Sequence, residues 1–178
     1  MNFTEAAKAY AEGKVFVAFD LETTGLDPHL DRIVEIGAVK FDNKGPIAWF
    51  STLINPGIPM PAEAGRVNGI SDEMLAGKPF LDDVFADFLL FIRGAVLAAH
   101  NVPFDSGFIN EKLDKPLQNP MADTLVFSRE LFPSFKSHSL QNLALSLGID
   151  SQDAHRARDD ARLCMEIFLA CLGAGKAL

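Results

Sequence analysis

The chain has 178 residues, 48% of them hydrophobic and 15 of them phenylalanine, enough for one domain of ordinary size with a substantial core. Its net charge of −8, with no lysine- or arginine-rich run, speaks against a basic nucleic-acid-binding stripe, although a site that gathers divalent cations would itself need acidic residues. No run of about 18 apolar residues is present, so no membrane span is expected, and the mixed-charge opening "MNFTEAAKAYAEGK" does not read as a secretory signal.

Residues 1–13 read as a short helix or arm ahead of a single domain over 14–178. Lys14 to Leu21 is the first expected strand, apolar on both faces and therefore central in its sheet. Arg32 to Phe41, "RIVEIGAVKF", is the second. A "DNKGP" turn leads to the third, "IAWFSTLINPG", ending at Pro56–Gly57. The short connections predict an antiparallel meander. The pattern then alternates. "SDEMLAG" predicts a short helix capped at Ser71 or Asp72. Leu81, Val84, Phe85, Phe88 and Phe91 give helical spacing over Leu81 to Ile92. "AVLAAH" (Ala95 to His100) is a short buried strand, and Phe104 to Leu113 a helix. "ADTLVF" fits a strand or a helix start. Ser139 to Gly148 is a capped helix, and Ala157 to Leu172 the last one. Strands followed by strand–helix alternation predict an α/β fold, a mixed sheet with helices packed on it. Cys164 and Cys171 fall on one face of the last helix about two turns apart, too far to bridge, and read as reduced core residues suited to a cytoplasmic protein.

Several carboxylates stand where a fold would rather avoid them. Asp20 and Glu22 are two apart on the first strand, so both leave the same face; alone, they also read as solvated charges at a strand end. Ala157, Cys164, Ile167 and Cys171 lie within about 60° of Asp160 on a helical wheel, which puts Asp160 in mid-stripe, while Asp159 points about 100° away. A carboxylate in such a stripe needs a metal or a cationic partner. Asp105 opens the helix after "HNVPF", where a simple cap is the plainer reading. His155, five residues before Asp160 and off the buried face, reads alone as a surface polar residue. Four oxygen donors without paired cysteines favour hard cations such as Mg²⁺ or Mn²⁺.

The segments "FDLETTGLDPHLDRIVEIGAVKF", "AHNVPFD" and "HRARDDA" closely resemble, in order and spacing, the three motifs of the DEDDh (DnaQ-like) 3′–5′ exonucleases. That family includes polymerase proofreading exonucleases, ribonuclease T and oligoribonucleases. The likeness runs from about Val15 to about Phe168 and is supported by "LINPGIPMP", "GISDEML", "ADTL" and "SLQNLALSLGI". It implies a ribonuclease H-like fold, with a central mixed five-stranded sheet flanked by helices. It implies Asp20, Glu22, Asp105 and Asp160 as metal-binding carboxylates and His155 as general base. It also implies two Mg²⁺ or Mn²⁺ ions, with Asp20 bridging them, Glu22 and Asp160 on the ion that holds the attacking water, and Asp105 on the other, directly or through water. The backbone around Thr23 and Thr24 is a candidate for holding substrate, as are Asn101 and Phe104, which read equally well as a residue fixing the turn before the helix and a core residue. The wording is closer to the proofreading branch than to oligoribonucleases. The expected substrate is thus a single-stranded or frayed 3′ end of DNA, with release of nucleoside 5′-monophosphates and a polymerase as the implied protein partner. An exoribonuclease is the alternative, and a non-catalytic nucleic-acid-binding scaffold a remote one. One departure is visible: Asn68 stands in "RVNGI" where many relatives have histidine. Nothing in the residues speaks to oligomeric state.

Overall fold

The computed structural model describes residues 1–151 and 156–175. Five strands form one sheet: β1 (Phe16–Thr23), β2 (Ile33–Asp42), β3 (Gly45–Leu53), β4 (Val96–Ala99) and β5 (Met121–Asp123). Their order is β3-β2-β1-β4-β5. β1 pairs antiparallel with β2 and parallel with β4; β2–β3 is antiparallel and β4–β5 parallel. The first three strands make the expected meander, and β1 is central, as its two apolar faces require. The helices are α1 (Phe3–Ala11), α2 (Ala62–Asn68), α3 (Asp72–Leu75), α4 (Leu81–Ile92), α5 (Val102–Asn110), α6 (Thr124–Leu131), α7 (Leu140–Ser146) and α8 (Ala157–Gly175). None of the described helices is long and apolar enough to cross a membrane.

Alternation along β1 divides the core between the two faces of the sheet. Val17, Phe19 and Leu21 pack with Phe88 and Ile92 of α4 and Phe108 and Ile109 of α5. Phe16 and Ala18 point the other way, into a cluster with Val39 and Phe41 of β2, Cys164 and Phe168 of α8, and Ala6 of α1. α1 is bound to this face through Phe3 edge-on to Phe127 at 5.5 Å and Tyr10 edge-on to Phe168 at 5.7 Å. Its N-cap Asn2 and Glu5 form a reciprocal capping box. Cys164 and Cys171 are buried and free.

The second cluster positions the site. Phe168 stacks on Phe16 at 5.0 Å between ring centroids. From Phe168 back to Asp160 the helix rises about 12 Å, and from Phe16 forward to Asp20 the strand advances about 13 Å. A helix lying antiparallel over the strand therefore brings Asp160 above Asp20. The apolar contact fixes the helix, and its register delivers the carboxylate.

Element boundaries differ from the sequence expectation in ways that matter locally. β1 continues to Thr23 instead of ending at Leu21, so Glu22 as well as Asp20 stands on paired strand. β3 stops at Leu53, before the Asn55–Gly57 turn in which the Gly57 N–H donates to the Asn55 side chain. α5 starts at Val102, two residues before Phe104, because Asp123 accepts from the Val102 N–H at 3.0 Å. The "ADTLVF" segment is both strand and helix: β5 ends at Asp123, whose carboxylate caps α6 by accepting from the N–H groups of Leu125 and Val126. The α2 helix had no counterpart in the sequence reading. It stops at Gly69, whose φ of 68° is the left-handed conformation that glycine adopts most readily.

Candidate active site

On the α8 side of the sheet, β1 reads Phe16, Ala18, Asp20, Glu22, and the paired residues of β2 read Phe41, Val39, Gly37, Glu35. The lower half of this double row is apolar and lies under Phe168 and Cys164. The upper half is acidic and lies under the first turns of α8. Among the described residues, ligand oxygens of Asp20, Glu22 and Asp160 all fall within 4.8 Å of one another. Asp160 is 5% exposed, whereas Asp159 is half-buried and leans towards Arg162 at 3.8 Å. The helical-wheel choice between the two aspartates agrees with this placement.

Asp105 approaches from α5. β4 pairs with β1 only along Phe16–Ala18, so the N–H of Leu21 lies beyond that pairing, and the buried Asp105 carboxylate accepts from it at 3.1 Å. Asp105 is therefore not a helix cap but a side chain docked on the edge of β1. It is close enough to Asp20 to raise that residue's affinity for a proton. Gln141 of α7 reaches Asp160 with its side-chain amide at 3.3 and 3.4 Å.

Crowding shows in the protonation equilibria. Burial, and then the charges of Asp105, Asp160, Glu22 and Glu35, push Asp20 well above the usual carboxylate range. Burial, Asp160 and Glu35 push Glu22 up to about 7, against an opposing pull from Asn68 and Arg156. Burial pushes Asp105 up to about 8, although the Leu21 N–H favours its charged form. A divalent cation bound among them would offset the cost of charging these carboxylates. The donor set is all oxygen, which suits a hard cation, and the residues present fit such an ion.

Beside Glu22 a cleft of about 440 Å³ is lined by Thr23, Thr24, Leu26, Val67, Asn68 and Phe104, among others. The sequence candidates Thr23, Thr24 and Phe104 are thus brought together with the carboxylates. The Thr24 backbone N–H is already bonded to the Arg32 carbonyl at 2.9 Å, and its hydroxyl donates to Asp31 at 3.2 Å, so the start of the loop after β1 is tied to its end. Asn101 is not among the residues that line this cleft. It is exposed, takes the left-handed conformation (φ 87°) at the N-cap of α5, and is tied through its N–H to Asp123 at 3.3 Å. His155 lies outside the described residues.

Sequence reasoning passed over Glu35 and Gln141 as neighbours of the site, and marked Asn68 only as a departure from many relatives. Glu35 is 2% exposed, sits opposite Glu22 in the β1–β2 ladder, and is bonded to Arg156. Asn68 is 3% exposed; its amide reaches the Thr23 carbonyl at 3.4 Å and its Oδ1 accepts from the Ile70 N–H at 3.1 Å. Gln141 touches Asp160 as above. For Glu35 the signal was present, since a glutamate inside "RIVEIGAVKF" is as unexpected as an aspartate inside "VFVAFD".

Known proteins resemble this chain in sequence and in fold. The chain is 48% identical over 166 residues to DNA polymerase III subunit epsilon of Treponema pallidum, covering 90% of this chain and 77% of that one. It is 38% identical over 172 residues to DNA polymerase III PolC-type of Bacillus subtilis, covering 94% of this chain but only 12% of that much longer one. In fold it is similar to exonuclease X in complex with 5′ overhanging duplex DNA (TM-score 0.71, 24% identity, 92% of this chain and 93% of that one). It is also similar to E. coli exonuclease I in complex with a dT13 oligonucleotide (TM-score 0.73, 19% identity, 89% and 40%). The RNase T family model, described as Exonuclease, matches residues 17–168. With that span matched, the chain belongs to the DnaQ-like 3′–5′ exonuclease family.

Proposed function

We propose that this protein removes nucleotides one at a time from the 3′ ends of DNA, with Mg²⁺ or Mn²⁺ held by Asp20, Glu22 and Asp160 and with Asp105 serving a second ion. The observation that carries the reading is the meeting of three carboxylates within 4.8 Å, beside a cleft bounded by Thr23, Thr24 and Phe104. Bound there, the cations would supply the positive charge that the scissile phosphate needs and that the acidic chain lacks.

The remaining roles belong to this chain's own side chains. The cleft wall of Leu26, Val67 and Phe104 offers apolar surface on which a terminal base can stack. The hydrogen-bonded Thr23–Thr24 segment at the end of β1 would fix the terminal nucleotide against Glu22. His155 is assigned as the general base, its imidazole nitrogen taking a proton from the attacking water near neutral pH. The bond broken is that between phosphorus and the 3′-oxygen of the penultimate nucleotide, leaving a 3′-hydroxyl on the shortened strand and a nucleoside 5′-monophosphate. The likeness to the polymerase III epsilon chain supports DNA as substrate and a polymerase as partner. The chain as a whole is read as one exonuclease domain with α1 bound to it, acting in the cytoplasm.

Single-stranded DNA and RNA of equal sequence, each labelled at the 5′ end, test the assignment in parallel digestions. The DNA should shorten faster. Faster decay of the RNA would move the protein to the exoribonuclease reading.

A further inference from the structure

Glu35 and Gly37 of β2 lie beneath the first turn of α8 and take no part in the chemistry described above. Glu35 is expensive where it stands. It is 2% exposed, faces Glu22 across the ladder, and adds to the negative field at both Asp20 and Glu22. Buried ion pairs are often no more stabilising than apolar residues of the same volume, so stability alone is a poor reason to keep one beside three other carboxylates.

Glu35 does make three bonds to one short piece of chain. Arg156 Nη2 donates to Oε1 at 2.9 Å and Nε to Oε2 at 3.1 Å, and the Ala157 backbone N–H donates to Oε2 at 3.2 Å. The forked pair fixes direction as well as distance. Two residues along the same face, Gly37 leaves the place of a side chain to the backbone of Ala157 and Arg158, so helix backbone lies directly on strand backbone. Arg158 holds the same turn from outside, its guanidinium 5.2 Å from the centre of the Trp49 ring on β3. Asp160 follows Ala157 by three residues, less than one helical turn.

We propose that Glu35 and Arg156 are positioning residues, a buried clamp that seats the first turn of α8 on β2 and so sets Asp160 against Asp20 and Glu22 to receive the divalent cation. The inference rests on the metal-site reading given under Proposed function. Neither residue is assigned as a ligand: Glu35 stands outside the group of described carboxylates whose oxygens meet within 4.8 Å, its oxygens accept from Arg156 and Ala157, and Arg156 is a cation.

Charge alone and positioning make opposite predictions, which allows a decisive test. Removing the positive charge of Arg156 makes the site more negative, so electrostatics without positioning predicts tighter cation binding by Arg156→Ala. A lost clamp predicts weaker binding. Mn²⁺ is titrated by calorimetry into the metal-free full chain, as wild type, Asp20→Ala, Glu35→Gln, Arg156→Ala and Arg156→Lys, with circular dichroism as the check on folding. The clamp predicts that Arg156→Ala and Glu35→Gln both weaken Mn²⁺ by roughly ten-fold or more. Arg156→Lys keeps the charge but loses the fork and is expected to fall in between; it carries the test if Arg156→Ala does not fold, because charge alone predicts no change for it. Equal or tighter binding by the Arg156 variants overturns the clamp. If wild type fails to bind Mn²⁺, or Asp20→Ala binds it equally well, the metal-site reading itself fails, a result distinguishable from failure of the clamp.

Discussion

Crowded carboxylates should make the metal-free protein lose stability as pH rises. In an unfolded chain a glutamate releases its proton near 4.5, whereas folding raises Glu22 to about 7. Between those values the folded state binds more protons than the unfolded one, so stability falls with pH across that window and the loss is complete above about 7. Two and a half pH units correspond to about 3 kcal/mol, or roughly 6–12 °C in melting temperature for a chain of this length. Asp105, at about 8, acts in the same direction and extends the window upward, as does the raised Asp20. The assay is thermal unfolding in EDTA between pH 5 and pH 8.5, with wild type compared with Asp20→Asn so that titrations elsewhere cancel. Wild type should melt several degrees lower at the alkaline end. Asp20→Asn should show a shallower slope and a higher melting temperature there, and saturating Mg²⁺ should flatten the wild-type slope. A wild-type melting temperature that is flat or rises in EDTA over this range would refute the argument that burial and mutual repulsion keep these carboxylates protonated in the folded site.

Other variants test separate joints of the structure. Gly37→Ala places a methyl group in the backbone of Ala157 and Arg158; it should lift the first turn of α8 and lower kcat by about 100-fold, and a near-normal rate would show that the close approach is dispensable. Asn68→Ala leaves the buried Ile70 N–H without its acceptor and should destabilise the fold by about 1–3 kcal/mol in urea unfolding; an unchanged midpoint would mean another group takes its place. His155→Ala should reduce kcat by roughly 10² to 10⁴ if it is the general base, with little change in Mn²⁺ affinity by calorimetry; an activity close to wild type would remove it from that role.

Much of this architecture is legible in the residues because strongly apolar strands leave little choice. The Val15–Phe19 run requires a central strand, and two acids interrupting its far end mark the site. Asp160 could be chosen over Asp159 from helical geometry alone. Local sequence is weaker where tertiary contacts decide. The α2 segment "AEAGRVN" follows two prolines and contains a glycine, so its periodicity is poor, and its helical form is set by the Gly69 turn and by the burial of Asn68. Asp105 looked like a cap because its real partner, the Leu21 N–H, is 84 residues away. Glu35 escaped notice because its meaning depends on register: only the β1–β2 ladder places it opposite Glu22, and only the packing of α8 brings Arg156 to it. Asp123 is another such junction, serving the backbone of α5 and α6 together from the end of β5.

The central claim, that Asp20 and its neighbours hold the cations that cut a strand from its 3′ end, is tested most directly with 5′-labelled single-stranded DNA. Wild type in Mg²⁺ should give a ladder that shortens progressively from the 3′ end, stop in EDTA, and be inactive as a folded Asp20→Ala variant. Digestion that persists in EDTA, or an Asp20→Ala variant that cuts at the wild-type rate, would contradict it.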